Sequence, residues 1–217
     1  MRYIPASWRR AQLEFVLRAN YNLSPTQDSP VVRVKGTERR IEQCRWGLIP
    51  PWSPEFKTKL STINARAESV FQSRLYKGPA LRQRCLVPMS GFIEWKRTPD
   101  RKRPFAIHLK DKPIMSMAGI WEAWGSGEAA RRSFAIVTTA ANGFMSKIHT
   151  RMPVILDEAA EQAWLDPENH DQNALQELLR PCPDEWLDAD EVSTAINSPR
   201  NNSPEVLLPL EAGARAA

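Results

Sequence analysis

The sequence predicts a mixed α+β fold in one domain, on three observations. Short runs of apolar and polar residues in alternation begin early and recur toward the end of the chain, the pattern of half-buried strands. Helical periodicity is confined to a few segments. No repeat, low-complexity block or long linker interrupts the 217 residues, and the 18 prolines are spread through loops rather than gathered at a hinge. Residues 1–211 therefore read as one domain, with a frayed, disordered tail over 212–217.

In chain order, Leu13, Val16 and Leu17 at helical spacing among Arg9, Arg10 and Arg18 predict a short amphipathic helix over 11–17. Asn22 and Pro25 break it, because proline forces Ser24 into an extended conformation. A strand over 31–34, a turn at Gly36-Thr37 and a return strand over 40–46 follow. Residues 68–76 look helical. Residues 84–95 and 104–109 give further strands joined by a charged loop turning at Pro99-Asp100, and 114–121 and 133–138 continue the sheet across a turn at 125–128. Met115, Met117, Trp121 and Trp124 read as core filling. Asp157 is placed to cap a helix over 157–164, and 172–179 forms a second. Residues 192–197 and 206–209 read as a last hairpin that closes the barrel or sheet.

Charge narrows the function classes. Lys and Arg number 30 against 25 Asp and Glu, a net charge of +5 that favours a polyanionic partner over an acidic-patch protein. Arg33, Arg39, Arg40, Arg45, Arg66, Arg74, Arg82, Arg84, Arg97, Arg101 and Arg103 crowd into one third of the chain, where they are either a phosphate-binding set or a solvated face. Cys44, Cys85 and Cys182 have no metal-ligand spacing and are odd in number, which argues for a reducing compartment and against disulfides or zinc. No apolar run approaches the roughly 18 residues a bilayer requires, and no signal-peptide h-region is present, so a cytoplasmic protein is expected.

The most informative stretch is Gly91-Phe92-Ile93-Glu94-Trp95-Lys96, which sets a carboxylate inside an apolar run. An ionised carboxylate there is paired, protonated or used by a site; otherwise Glu94 is an edge-strand residue facing water. Trp52, braced by Pro50 and Pro51, is either a surface platform for stacking on a base or a lid on the core. Asn64 and Arg66, two residues apart on an extended segment, face the same side, as do His149 and Arg151 before Pro153.

These residues fall within ordered motifs: Tyr21-Asn-Leu-Ser-Pro-Thr-Gln27, Arg45-Trp-Gly-Leu-Ile-Pro-Pro-Trp52, Ile63-Asn-Ala-Arg-Ala-Glu68, Arg84-Cys-Leu-Val-Pro-Met-Ser-Gly-Phe-Ile-Glu-Trp95, Ile148-His-Thr-Arg-Met-Pro153 and Val192-Ser-Thr-Ala-Ile-Asn-Ser-Pro-Arg-Asn201. Over nearly its whole length the chain resembles the SRAP family, the SOS response-associated peptidases. The resemblance implies a compact, mostly antiparallel β-barrel with flanking helices that shields abasic sites in single-stranded DNA; a monomer without metal or cofactor is expected. It further implies that Asn64 orients an N-terminal nucleophile, Glu94 moves protons during methionine removal and Schiff-base formation, and His149 assists opening of the sugar ring. Arg2, Arg66, Arg74 and Arg151 would hold the DNA, with Pro25 and Trp52 lining the strand's path.

Family members open Met-Cys-Gly-Arg, and their cysteine closes a thiazolidine on the abasic sugar after removing its own methionine. This chain reads Met1-Arg2-Tyr3, without the Cys-Gly pair. Three expectations remain open: two residues are missing from the sequence, the chain is a non-enzymatic single-stranded or junction DNA-binding module, or its free α-amine, with a pKa near 8, forms a reversible Schiff base. A cysteine protease built on Cys85 and His149 is disfavoured, because Cys85 reads as a small buried hydrophobe.

Overall fold

The structure, a computed structural model, describes residues 12–13 and 18–210. Its strands in chain order are β1 (Gln12–Leu13), β2 (Asp28–Lys35), β3 (Glu38–Trp46), β4 (Asn64–Arg66), β5 (Arg84–Met89), β6 (Phe92–Arg97), β7 (Lys102–Leu109), β8 (Met115–Trp124), β9 (Arg131–Ala140), β10 (Arg151–Pro153), β11 (Ile155–Leu156) and β12 (Leu187–Glu191). Three short helices accompany them: α1 (Lys77–Arg82), α2 (Glu158–Leu165) and α3 (Gln172–Glu177).

β2, β3, β5, β8 and β9 form a closed five-stranded barrel. The β2–β3, β2–β5, β5–β8 and β8–β9 pairings are antiparallel, and the circle closes where Arg45 and Trp46 of β3 run parallel to Ser133 and Phe134 of β9. The expected α+β class and mostly antiparallel barrel are therefore observed. β6, β7 and β12 form a second, three-stranded antiparallel sheet against the barrel.

β5, β8 and β9 carry consecutive buried residues on both faces, so their buried stretches read as near-continuous apolar runs, whereas β3 buries only Ile41 and Cys44. One cluster joins Val32, Leu86, Ala118, Ile120, Ala135 and Val137 to Trp164 of α2 and Leu175 of α3. The alternate residues Val31, Cys85, Val87, Met117, Phe134 and Ile136 join Ile107 and Leu187 of the small sheet. Buried Arg84 ties the helices on: its guanidinium donates to the carbonyls of Ala80, Leu81, Trp164, Asp166 and Asn169, where helix ends leave acceptors unpaired.

Several expectations are corrected. Gln12–Leu13 lies in a strand parallel to β3 instead of a helix; the other residues of the expected 11–17 helix, up to Leu17, lie outside the described residues, as does the 212–217 tail. Residues 68–76 are a chain of turns, because the Ser73 hydroxyl accepts from the Leu75 and Tyr76 N–H groups and competes with the helical ladder. The expected 84–95 strand is two strands in different sheets, parted at Ser90-Gly91. Residues 192–209 form no closing hairpin; they hold two 3₁₀ turns and a single bridge from Val192 to Pro209. The arginine-rich third also divides. Arg33 is buried on Glu42 at 2.5 Å and stacks over Trp121 at 4.8 Å, Arg84 anchors helices, and Arg103 pairs with Glu191.

Candidate active site and nucleic-acid interface

Gly91 sets the position of Glu94. A Cβ there would lie 2.5 Å from the Ile107 carbonyl oxygen, so only glycine lets the chain turn this tightly out of β5 and into β6. Three residues on, Glu94 pairs with Phe105 of β7 and is half-buried. Burial pushes its carboxyl pKa above the usual range, and the His149 charge and the Trp95 N–H only partly oppose that.

His149 arrives from the opposite direction. Fully buried Met145 anchors a 3₁₀ turn whose Met145 carbonyl accepts from the Ile148 and His149 N–H groups. Asn142 braces that turn, accepting from the Met145 N–H and donating to the Cys182 carbonyl. His149 thus precedes the strand rather than sitting in it, with Nδ1 3.7 Å from Glu94 Oε2 and 3.2 Å from the Arg151 N–H. Unprotonated, Nδ1 accepts that N–H; protonated, it donates to the Arg151 carbonyl at 3.2 Å and faces Glu94 as a charge partner. At 3.7 Å the pair is an ion pair or relay, slightly beyond direct hydrogen-bond reach, a spacing usual before substrate tightens a catalytic site.

Both side chains line an open cleft of about 420 Å³ together with Trp95, Arg97, Lys102 and Asn197. Trp95 is fixed by donating from Nε1 to Asn197 at 2.8 Å. The cleft thus has an acid–base end and a cationic end.

Asn64 and Arg66 do share an exposed face of β4, with Ala65 between them fully buried. β4 runs along one edge of β9 and β10 along the other, and both meet at Thr138. The Arg151 guanidinium donates to the Thr138 carbonyl at 2.6 Å and to both oxygens of Glu68 at 2.6 and 3.0 Å. The Tyr76 hydroxyl donates to the Asn64 carbonyl at 3.3 Å, steadying that strand. Of the nine expected site residues, Glu94 and His149 come together in the cleft. Arg151 joins them through its backbone, and Asn64 and Arg66 lie across β9. Pro25, Trp52 and Arg74 are exposed, none of them lining that cleft, and Arg2 lies outside the described residues. Trp52 is 63% exposed, so it lies at the surface and is not a lid on the core.

Sequence reasoning missed Glu68, Tyr76 and Asn197. Glu68 ends the quoted 63–68 motif, and its acid after two basic or amide positions was the available signal; Tyr76 and Asn197 gave none. The protease alternative is overturned. Cys85 is fully buried with its thiol pKa pushed well up by desolvation, and burial raises Cys44 and Cys182 to about 12. Among the described residues no cluster of His, Cys, Asp and Glu is arranged to hold a metal. No helix there is long and apolar enough to cross a membrane.

Barrel, satellite sheet and an open cleft that brings a carboxyl and an imidazole together beside two cations define a β-barrel protein with a charged cleft at its small sheet. A family model described as SOS response associated peptidase (SRAP) matches residues 3–199, and the chain belongs to that family. It is 40% identical over 190 residues to the abasic site processing protein YoqW of Bacillus subtilis, covering 87% of this chain and 85% of that one. With the abasic site processing protein HMCES of Gallus gallus it shares 33% identity over 242 residues, 94% of this chain and 71% of that one. The crystal structure of a protein from Bacteroides thetaiotaomicron superposes with a TM-score of 0.76 at 30% identity, covering 85% of this chain and 82% of that one.

Proposed function

We propose that this chain recognises abasic sites in single-stranded DNA and acts on the exposed sugar with Glu94 and His149 as its proton-transfer pair. The observation that carries this reading is a carboxyl of raised pKa 3.7 Å from an imidazole in an open, cation-rimmed cleft, in a family whose relatives are named for abasic site processing.

A ring-opened abasic sugar presents an aldehyde. The chain's free α-amine adds to it to give a carbinolamine, which loses water to become an imine. Glu94 delivers a proton to the departing hydroxyl, and His149 accepts the proton shed by nitrogen and earlier assists ring opening. Asn64 orients the amine, Arg66, Arg74, Arg151 and Arg2 hold phosphates, and Trp52 with Pro25 guides the strand, stacking being worth about 1–3 kcal/mol per base. Closure to a thiazolidine needs a thiol and an α-amine on one residue. Cys44, Cys85 and Cys182 are internal and buried, so they do not supply it. A monomer is the working unit in this reading, and three free thiols fit a reducing, cytoplasmic setting.

The test compares an oligonucleotide carrying one abasic site with its intact counterpart, by fluorescence anisotropy and by borohydride trapping. Tighter binding and a trapped adduct on the abasic strand support the reading. Equal affinity and no adduct would leave a non-enzymatic DNA-binding module.

A further inference from the structure

The far end of the cleft is electrostatically uneconomical in the free protein. Arg97 and Lys102 are exposed and sit directly opposite each other across the β6–β7 pair, and the next rung sets Lys96 opposite Arg103. Like charges facing across an antiparallel pair repel. The second rung is relieved, because Arg103 is paired with Glu191 of β12. The first is not: among the described residues neither Arg97 nor Lys102 enters an ion pair, and the nearby turn offers Asp100, whose field falls on Arg103. Both cations line the same cleft as Glu94 and His149. Glu94 and Arg97 are three steps apart along β6, about 10 Å at the usual rise.

We propose that the end of the β6–β7 hairpin is a phosphate clamp, in which Arg97 and Lys102 grip from two sides one phosphodiester of the strand whose sugar is held between Glu94 and His149. The inference rests on the function proposed above and adds a substrate-positioning site to it. A phosphate between the two cations relieves their mutual repulsion while attracting both, so the two effects favour binding together. Arginine supplies the planar fork and lysine a mobile point charge, a pairing that grips without reading sequence. Holding one neighbouring phosphate fixes how far the strand slides along the cleft, and with it which sugar meets Glu94.

The test uses the full chain as Arg97→Ala/Lys102→Ala, with Lys110→Ala/Lys112→Ala as a charge-matched control on exposed positions outside the cleft. Anisotropy against a single-stranded oligonucleotide with one abasic site is read as a function of salt. The cleft variant should bind about ten-fold more weakly at low salt, with a salt slope shallower by about 0.7 because one phosphate fewer is neutralised, and the control should weaken less. One neutral methylphosphonate linkage beside the abasic sugar should abolish the difference between wild type and variant. The variant should melt no lower than wild type, because it sheds a repulsive pair. Wild-type protein that binds abasic DNA, with the cleft variant and the control indistinguishable, overturns the clamp alone. A defect seen only when a complementary strand is annealed overturns its assignment to the reacting strand. Wild-type protein with no affinity for the abasic strand overturns the clamp and the underlying function together.

Discussion

The guanidinium of Arg151 is clasped by the carboxylate of Glu68 through two hydrogen bonds, Nη1 to Oε1 at 2.6 Å and Nη2 to Oε2 at 3.0 Å. The pair couples the turn after β4 to the start of β10, and it compensates the charge that a DNA phosphate would seek. Arg151, with the nearby Arg66, holds the Glu68 carboxyl below its usual pKa. Glu68→Gln keeps a hydrogen-bonding amide but removes the competing charge. The variant should bind single-stranded DNA several-fold more tightly at low salt, an advantage that fades as salt rises. Its stability should fall by less than about 1 kcal/mol, because the pair is half-exposed. Unchanged affinity would mean that Arg151 does not face the DNA.

Gly91 and the Ile107 carbonyl approach too closely for any side chain, which makes Gly91→Ala a test of how Glu94 is positioned. Backbone must shift to admit the methyl group, so β6 should move against β7 at a cost of about 1–3 kcal/mol, a drop of several degrees in Tm for a chain of this size. Adduct formation should slow while DNA affinity changes little. Ser90→Ala, at the exposed neighbouring position, should leave both untouched. An adduct rate unaffected by Gly91→Ala would separate the turn from the chemistry.

Glu94 gives stability a definite pH dependence. Burial raises its folded pKa above the ordinary value of 4.5, so the folded chain holds this proton more tightly than the unfolded one. Its contribution is fully favourable below the unfolded pKa and is lost as pH rises through the raised folded value. Thermal melts of wild type and Glu94→Gln should therefore converge at low pH and diverge above about 4.5, the glutamine variant becoming relatively more stable. Parallel curves across that window would mean that Glu94 is not desolvated.

Much of the architecture was legible because its signals are local. The β2–β3 hairpin announces itself by alternation around Gly36, whose φ of 61° suits the turn. Helix α2 announces itself by Asp157, which does accept the Ala160 N–H. Glu94 stood out as a charge in an apolar run. What escaped was set by distant parts of the chain. The break at Ser90-Gly91 is imposed by the Ile107 carbonyl, and closure of the barrel rests on β3 running parallel to the distant strand β9. Strand β12, Leu187-Asp-Ala-Asp-Glu191, carries three acids and no strand signal. It is drawn into the sheet by pairing with β7, where Glu191 meets Arg103 and Asp190 lies 3.2 Å from His108. The Glu68–Arg151 clasp joins residues 83 apart, and nothing in either local sequence points to the other.

Glu94, as the group that moves the proton that lets an abasic sugar react in this cleft, is the centre of the proposed chemistry. The most direct test is a time course of intact protein mass after mixing with a single-stranded abasic oligonucleotide and borohydride, run on wild type and Glu94→Gln with DNA affinity measured in parallel. Wild type should gain the mass of one oligonucleotide, and Glu94→Gln should bind equally well but react roughly 100-fold or more slowly, the scale of general acid–base catalysis. A Glu94→Gln variant that reacts at the wild-type rate, or a wild type that binds and never gains mass, would contradict that role.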